Sequence, residues 1–149
     1  MKHAGYKYKE CGLDNVYLMS GYEYVNTSRG RHLVINDIDG LHRAIGRSLV
    51  EKKRTLTGKE MRFLRHEMLM SQETLAELLK VSVQSINRWE NDKTETSKPA
   101  ESLVRLLYME HLGGNENIKK TLKKIADLED RIDKTLTLMN KKDEWLVAA

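Results

Sequence analysis

The chain has 149 residues and a formal charge of +4, from 26 Lys and Arg against 22 Asp and Glu with the histidines neutral. That length suits one modest domain or two very small ones and excludes a large multidomain enzyme. No run approaches the ~18 apolar residues that span a bilayer, the opening MKHAGYKYKECG lacks the apolar centre of a signal peptide, and the single Cys11 cannot form an internal disulfide. The expectation is a soluble, cytoplasmic protein with no membrane partner.

Nine glycines and one proline leave most of the chain to regular structure punctuated at few places. Five of the six tyrosines fall within the first 24 residues, where apolar positions alternate. Val16 to Met19 and Tyr22 to Val25 flank Ser20-Gly21, a two-residue connection, and Arg29-Gly30 then separates a third run, His32 to Ile35. This pattern predicts a small antiparallel β-meander, with tyrosines pairing across it. From Asp37 the spacing becomes three and four through Ile38, Leu41, Ile45 and Leu49, which predicts a helix over 38–53.

Helix starts then recur with one local chemistry. Thr57, Ser71 and Ser82 each offer a side-chain oxygen to an otherwise unpaired amide, and each is bracketed by an apolar staple: Leu56 with Met61, Met70 with Leu75, Val81 with Ile86. Thr57 and Glu60 complete a capping box. Three short helices are predicted over 58–69, 72–79 and 83–91. A fourth begins near Pro99 and buries Leu103, Leu106 and Leu107 before Gly113-Gly114 stops it.

Leu64-Arg65, then Met70-Ser71-Gln72-Glu73-Thr74-Leu75-Ala76, then Val81-Ser82-Val83-Gln84-Ser85-Ile86-Asn87-Arg88-Trp89-Glu90-Asn91 resembles the helix-turn-helix of the phage-repressor-like, or XRE, regulators over about 55 residues. Small Ala76 lets two helices approach, Ile86 plugs the angle between them, and the later helix keeps a polar outer face fit for the ~12 Å wide major groove. Carried over by position, the resemblance puts Val83, Gln84 and Arg88 nearest the bases: Gln84 suits adenine, Arg88 guanine, Val83 a thymine methyl. Gln72, Ser82 and Ser85 look like phosphate or register contacts, and Lys93, Thr94 and Lys98 in the following loop like a backbone clamp. The resemblance also implies a structural ion pair between Arg65 and Glu90 beneath the reading helix. At Leu69, Lys80 and Asp92 such regulators usually carry glycine, because the chain leaves a helix there through positive φ.

Beyond Asn115, Ile118, Leu122, Ile125, Leu128, Ile132, Leu136 and Met139 recur at spacings averaging 3.5, which reads as a long amphipathic helix. Its stripe calls for a partner, and self-association is preferred over folding back. Trp145 is then an anchor for that packing. Such a dimer sets two reading helices about 34 Å apart on a palindromic operator in double-stranded DNA. Residues 52–99 hold ten Lys or Arg against seven acids, so the positive surplus lies where DNA would bind.

The fold class expected is α+β, in three segments: 1–54 with the β-meander and a helix, 55–114 with the helix-turn-helix, and 115–149 with the dimerising helix. The layout is similar to antitoxins of the MqsA or YgiT type, which implies a toxin or effector as partner of the N-terminal region. Those proteins bind zinc through paired CxxC motifs. One cysteine and five histidines without ligand spacing do not supply such a site, so no metal and no cofactor are expected. Glycine-rich phosphate loops, HExxH and GxSxG are missing, which argues against an enzyme. The reading is a sequence-specific transcriptional regulator, a dimeric repressor with antitoxin-like autoregulation; the alternative is a protein-binding antitoxin or adaptor.

Overall fold

The computed structural model describes residues 5–53, 55–114, 117–127 and 136–147. It is a mixed α+β fold, in which short antiparallel strand pairs flank a helical body.

The N-terminal strands do not form the expected meander. Strand β1 (Tyr6–Lys7) pairs with β2 (Tyr17–Leu18), and β3 (Tyr22–Thr27) pairs only with β4 (Gly30–Ile35), giving two separate two-stranded sheets. Ser20-Gly21 is therefore a link between sheets and not a hairpin turn. The tyrosines still pair as rings: Tyr6 and Tyr22 lie 5.6 Å apart across the two sheets, and Tyr22 meets Tyr24 edge to face at 6.4 Å. Tyr8 is buried, and its hydroxyl lies 2.7 Å from His42 Nε2, while His42 Nδ1 lies 2.6 Å from Glu67.

Helix α1 (Ile38–Lys52) starts where the periodicity changes, with the Asp37 carboxylate accepting from the Gly40 amide. Its buried face uses Gly46 and Leu49, with Ile45 and Val50 partly covered; Ile38, expected on that face, stays half exposed. Gly46 is required by packing, since a Cβ there would lie 1.9 Å from the Tyr108 hydroxyl. Three helices follow as their caps predict: α2 (Gly58–Glu67), α3 (Gln72–Leu79) and α4 (Val83–Glu90), started by Thr57, Ser71 and Ser82 respectively. Both halves of the Thr57–Glu60 capping box are present.

Helix α5 (Lys98–Leu112) is capped by Ser97 and buries Val104, Leu107 and Tyr108. Leu106, assigned to that face from sequence, is exposed, because the inward stripe runs through Ala100, Val104, Leu107 and Tyr108. Arg105 closes the open end of α1: its guanidinium donates to the carbonyls of Val50 (2.6 Å) and Lys53 (2.8 Å) and to Glu101 (2.7 Å). One buried cluster runs from Leu13 and Leu49 through Leu56, Leu64, Leu75, Ile86 and Trp89 to Tyr108.

The C-terminal part departs most from expectation. Helix α6 (Asn117–Asp127) folds back against α3 and α5, with Ile118 and Leu122 packed on the core and Ile125 half exposed. Leu128 and Ile132 lie outside the described residues. Leu136 precedes β5 (Leu138–Lys141), Met139 lies within it, and β5 pairs with β6 (Glu144–Val147) through Lys142 and Asp143, both at positive φ. The helical stripe thus does not reach Met139. Residues 136–147 hold two short apolar runs around a two-residue turn of the hairpin type, a pattern that a 3.5-residue count cannot distinguish from a helix over so few positions. Trp145 sits on β6 with its side chain largely exposed, not as a packing anchor within the chain.

Candidate nucleic-acid interface

Helices α3 and α4 are joined by a turn that needs Lys80 in the left-handed region, at φ 58°, with the Val81 amide returning to the Ala76 carbonyl at 3.0 Å. Leu69 (φ 56°) and Asp92 (φ 55°) take the same conformation at the ends of the neighbouring helices. All three positions where glycine was expected therefore keep the backbone that glycine would adopt, at a cost of about 1 kcal/mol each. Asp92 offsets part of this, since its carboxylate accepts from the Gly58 amide at 2.8 Å and caps α2. Gly58 itself cannot carry a side chain: a Cβ would lie 2.4 Å from the Trp89 carbonyl oxygen. The start of α2 is thereby pressed against the end of α4.

Beneath α4, Arg65 and Glu90 are buried and joined in parallel. Arg65 Nε donates to Glu90 Oε2 at 2.7 Å and Nη2 to Oε1 at 2.8 Å, while Nη1 donates to the Met70 carbonyl at 2.9 Å. A planar guanidinium with all three faces engaged fixes the angle between α2, the α2–α3 turn and α4. Gln72 is drawn into the same network. Its amide nitrogen donates to Glu90 Oε1 at 3.2 Å, so the side chain expected on phosphate is half-buried and tied inward.

The outer face of α4 is different. The side chains of Gln84 and Arg88 are exposed and make no hydrogen bond or ion pair with any described residue. Ile86, Trp89 and Glu90 point the other way and are buried. Val83 is half-buried and packs against the core, which leaves it only partly available to a base. Ser82 and Ser85 bond each other at 2.9 Å, and Ser82 also accepts from the Ser85 amide, so their hydroxyls hold the helix start together. Sequence reasoning passed over Asn87, which is exposed three residues after Gln84 and accepts from the Asn91 side chain; the i, i+3 spacing was the available signal.

The loop after α4 brings Lys93 and Thr94 to the surface beside the segment before α2, and Lys98, expected in that loop, is the first residue of α5 and faces the same segment. Between them runs a cleft of about 380 Å³ lined also by Thr55, Thr57 and Thr96. The Lys98 ammonium donates to the Thr55 hydroxyl at 3.3 Å. Hydroxyls and two cations, set against Glu95 and an Asp92 already bonded to the Gly58 amide, suit a phosphate oxygen at the rim.

Cys11 is half-buried with its thiol 3.6 Å from the Tyr8 carbonyl, and burial pushes the thiol pKa up. Among the described residues no three His, Cys, Asp or Glu side chains gather as a metal site, and no helix is long and apolar enough to cross a membrane.

Residues 61–106, from the fourth residue of α2 into α5, match the family model described as Helix-turn-helix. No curated protein and no solved structure matches the chain significantly.

Proposed function

We propose, from the premise of a helix-turn-helix at residues 61–106, that this protein is a sequence-specific transcriptional regulator that reads the major groove with α4. The observation that carries the reading is the division of α4 into two faces. Ile86, Trp89 and Glu90 seat the helix, while Gln84 and Arg88 stand free with the two side-chain types that bond bidentately to adenine and guanine. Lys93, Thr94 and Lys98 lie on the rim and supply phosphate contacts that set register without reading sequence.

The regulator acts as a repressor, by occupying an operator, and as a homodimer, because one α4 contacts few base pairs and a two-fold pair reads twice as many at a spacing of about 34 Å. The pairing element is the β5–β6 hairpin. Leu138, Trp145 and Val147 are at least half exposed on a unit of two four-residue strands, too small to be stable in water without further strands. A second copy of the hairpin supplies them, with β-strand edges pairing across the two-fold axis.

Selection of bound duplexes from a random pool tests the reading. Arg88→Ala should cost about 1–3 kcal/mol and relax the preference at one base pair, whereas Lys93→Ala should weaken all sequences alike and lower the salt slope by about one. Equal loss of specificity in both variants refutes the assignment. Sedimentation of the free protein tests the dimer, which Trp145→Lys should convert to monomer.

A further inference from the structure

We propose that the β3–β4 hairpin is a second DNA-contacting arm, placing Arg29 and Arg31 in the minor groove beside the segment read by α4; the proposal rests on that reading of α4. The hairpin stands apart from the helical body. Its register runs from Tyr22 opposite Ile35 to Thr27 opposite Gly30, and only Tyr22, Leu33 and Ile35 are even half-buried. Six residues per strand give a ribbon of about 20 Å.

The chemistry of its tip is one-sided. No Asp or Glu occurs between Tyr24 and Asn36, and the tip reads Asn26-Thr27-Ser28-Arg29-Gly30-Arg31-His32. All seven of those residues are exposed. The turn is held by its own bonds, the Thr27 hydroxyl donating to the Gly30 carbonyl at 3.0 Å and accepting from the Arg29 amide at 3.2 Å. Gly30, at φ 111°, separates the two arginines without adding a side chain between them. The Arg31 guanidinium lies 3.8 Å over the Tyr24 ring, which holds it along the ribbon in advance of binding. Neither guanidinium has a carboxylate partner among the described residues.

Charge and shape together select the occupant. A protein partner would seat on the apolar side chains exposed behind the tip, Tyr24, Val25 and Val34, whereas the tip itself carries only polar and basic ones. Two arginines at the end of a narrow ribbon fit instead the ~6 Å minor groove, whose negative potential deepens where A·T tracts narrow it. The root of the arm is tied to the helix-turn-helix segment. Strand β4 leads through Asn36, which donates to the Gly21 carbonyl, into the Asp37 cap of α1. His42, in the second turn of α1, contacts Glu67 at the end of α2, the helix that leads into α3 and then α4.

The test uses the full chain on the duplex recovered by random-pool selection, extended by ten A·T base pairs on each side. Affinity is measured between 50 and 200 mM salt, with hydroxyl-radical footprints. Replacing both arginines (R29A with R31A) should lower the salt slope by about 1.8, so that the affinity lost over this fourfold salt range is about tenfold smaller than for the natural chain. The protected flank should disappear while the base preference set by Gln84 and Arg88 is kept. An unchanged slope and footprint in this double variant, with Arg88→Ala still relaxing specificity, overturns the arm alone and leaves the α4 reading standing. A protein-docking hairpin gives that result. If the natural chain selects no duplex, the α4 reading fails and the arm falls with it.

Discussion

Glu90→Ala removes one half of the buried pair on which α4 rests. The side chains of Arg65 and Glu90 are 7% and 4% exposed, so neither charge is solvated. Without the carboxylate, Arg65 Nε and Nη2 and Gln72 Nε2 lose their acceptors at once, while only Nη1 keeps the Met70 carbonyl. Breaking a buried pair in this way costs about 3–5 kcal/mol, against under ~1 kcal/mol for a solvent-exposed pair. A chain of this size has a total stability of roughly 5–15 kcal/mol, so the variant should be close to unfolding, with Tm lower by about 10 °C. Urea denaturation of the full chain, followed by circular dichroism, measures the loss. Replacing both partners by apolar residues (Arg65→Met with Glu90→Leu) should recover most of it, since no stranded charge remains. A loss below 1 kcal/mol for Glu90→Ala would refute the argument that the pair sets the seat of α4.

Two further perturbations follow from single side chains, one buried and one exposed. The Tyr108 hydroxyl is buried with no hydrogen-bond partner among the described residues, and burial pushes its pKa up to about 12. Tyr108→Phe should therefore leave stability unchanged or raise it by about 1 kcal/mol in the same urea assay, and a loss above 1 kcal/mol would reveal a partner. The pKa of His66, an exposed side chain, is held below its ordinary value by partial desolvation first and then by the Arg65 and Arg62 charges. A histidine with a depressed folded-state pKa favours folding only while neutral, so its contribution is complete above the unfolded value of about 6.5 and is lost as pH falls below it. Between pH 7.5 and 5.5, urea midpoints should fall less steeply for His66→Gln than for the natural chain; parallel slopes would contradict the shift.

How much was legible in the sequence varies along the chain with the locality of the signal. The starts of α2, α3 and α4 were readable because a capping hydroxyl, its amide and a staple lie within six residues, and Thr57, Ser71 and Ser82 all act as predicted. The exits at Leu69, Lys80 and Asp92 were expected from the resemblance alone, and all three take positive φ without glycine. At the two ends the signal was ambiguous. Two-residue strands such as β1 and β2 have no period to read, and pairing partners were inferred from adjacency, which placed β2 beside β3 instead of β1. In residues 136–147 a helical count and a hairpin compete for the same apolar residues, and the hairpin won.

The candidate site divides the same way. Gln84 and Arg88 could be placed on the outer face of α4 because Ile86 and Trp89 define its inner one by spacing alone. Gln72 and Val83 could not be assigned from spacing. Each sits at a helix edge, where a contact from another element decides its direction, and here Glu90 turns Gln72 inward while the core holds Val83.

The helical elements, their caps and the apolar face that seats α4 are properties of residues within a turn or two of each other, and the chain alone determined them. Tertiary structure alone decided the rest: Arg105 closing α1 from 52 residues beyond Lys53, Gly46 giving way to Tyr108, and α6 lying back on α3 and α5. Such contacts follow from which surfaces meet after the helices have formed, and buried polar groups and close-packed volumes accept only the arrangement that satisfies all of them together.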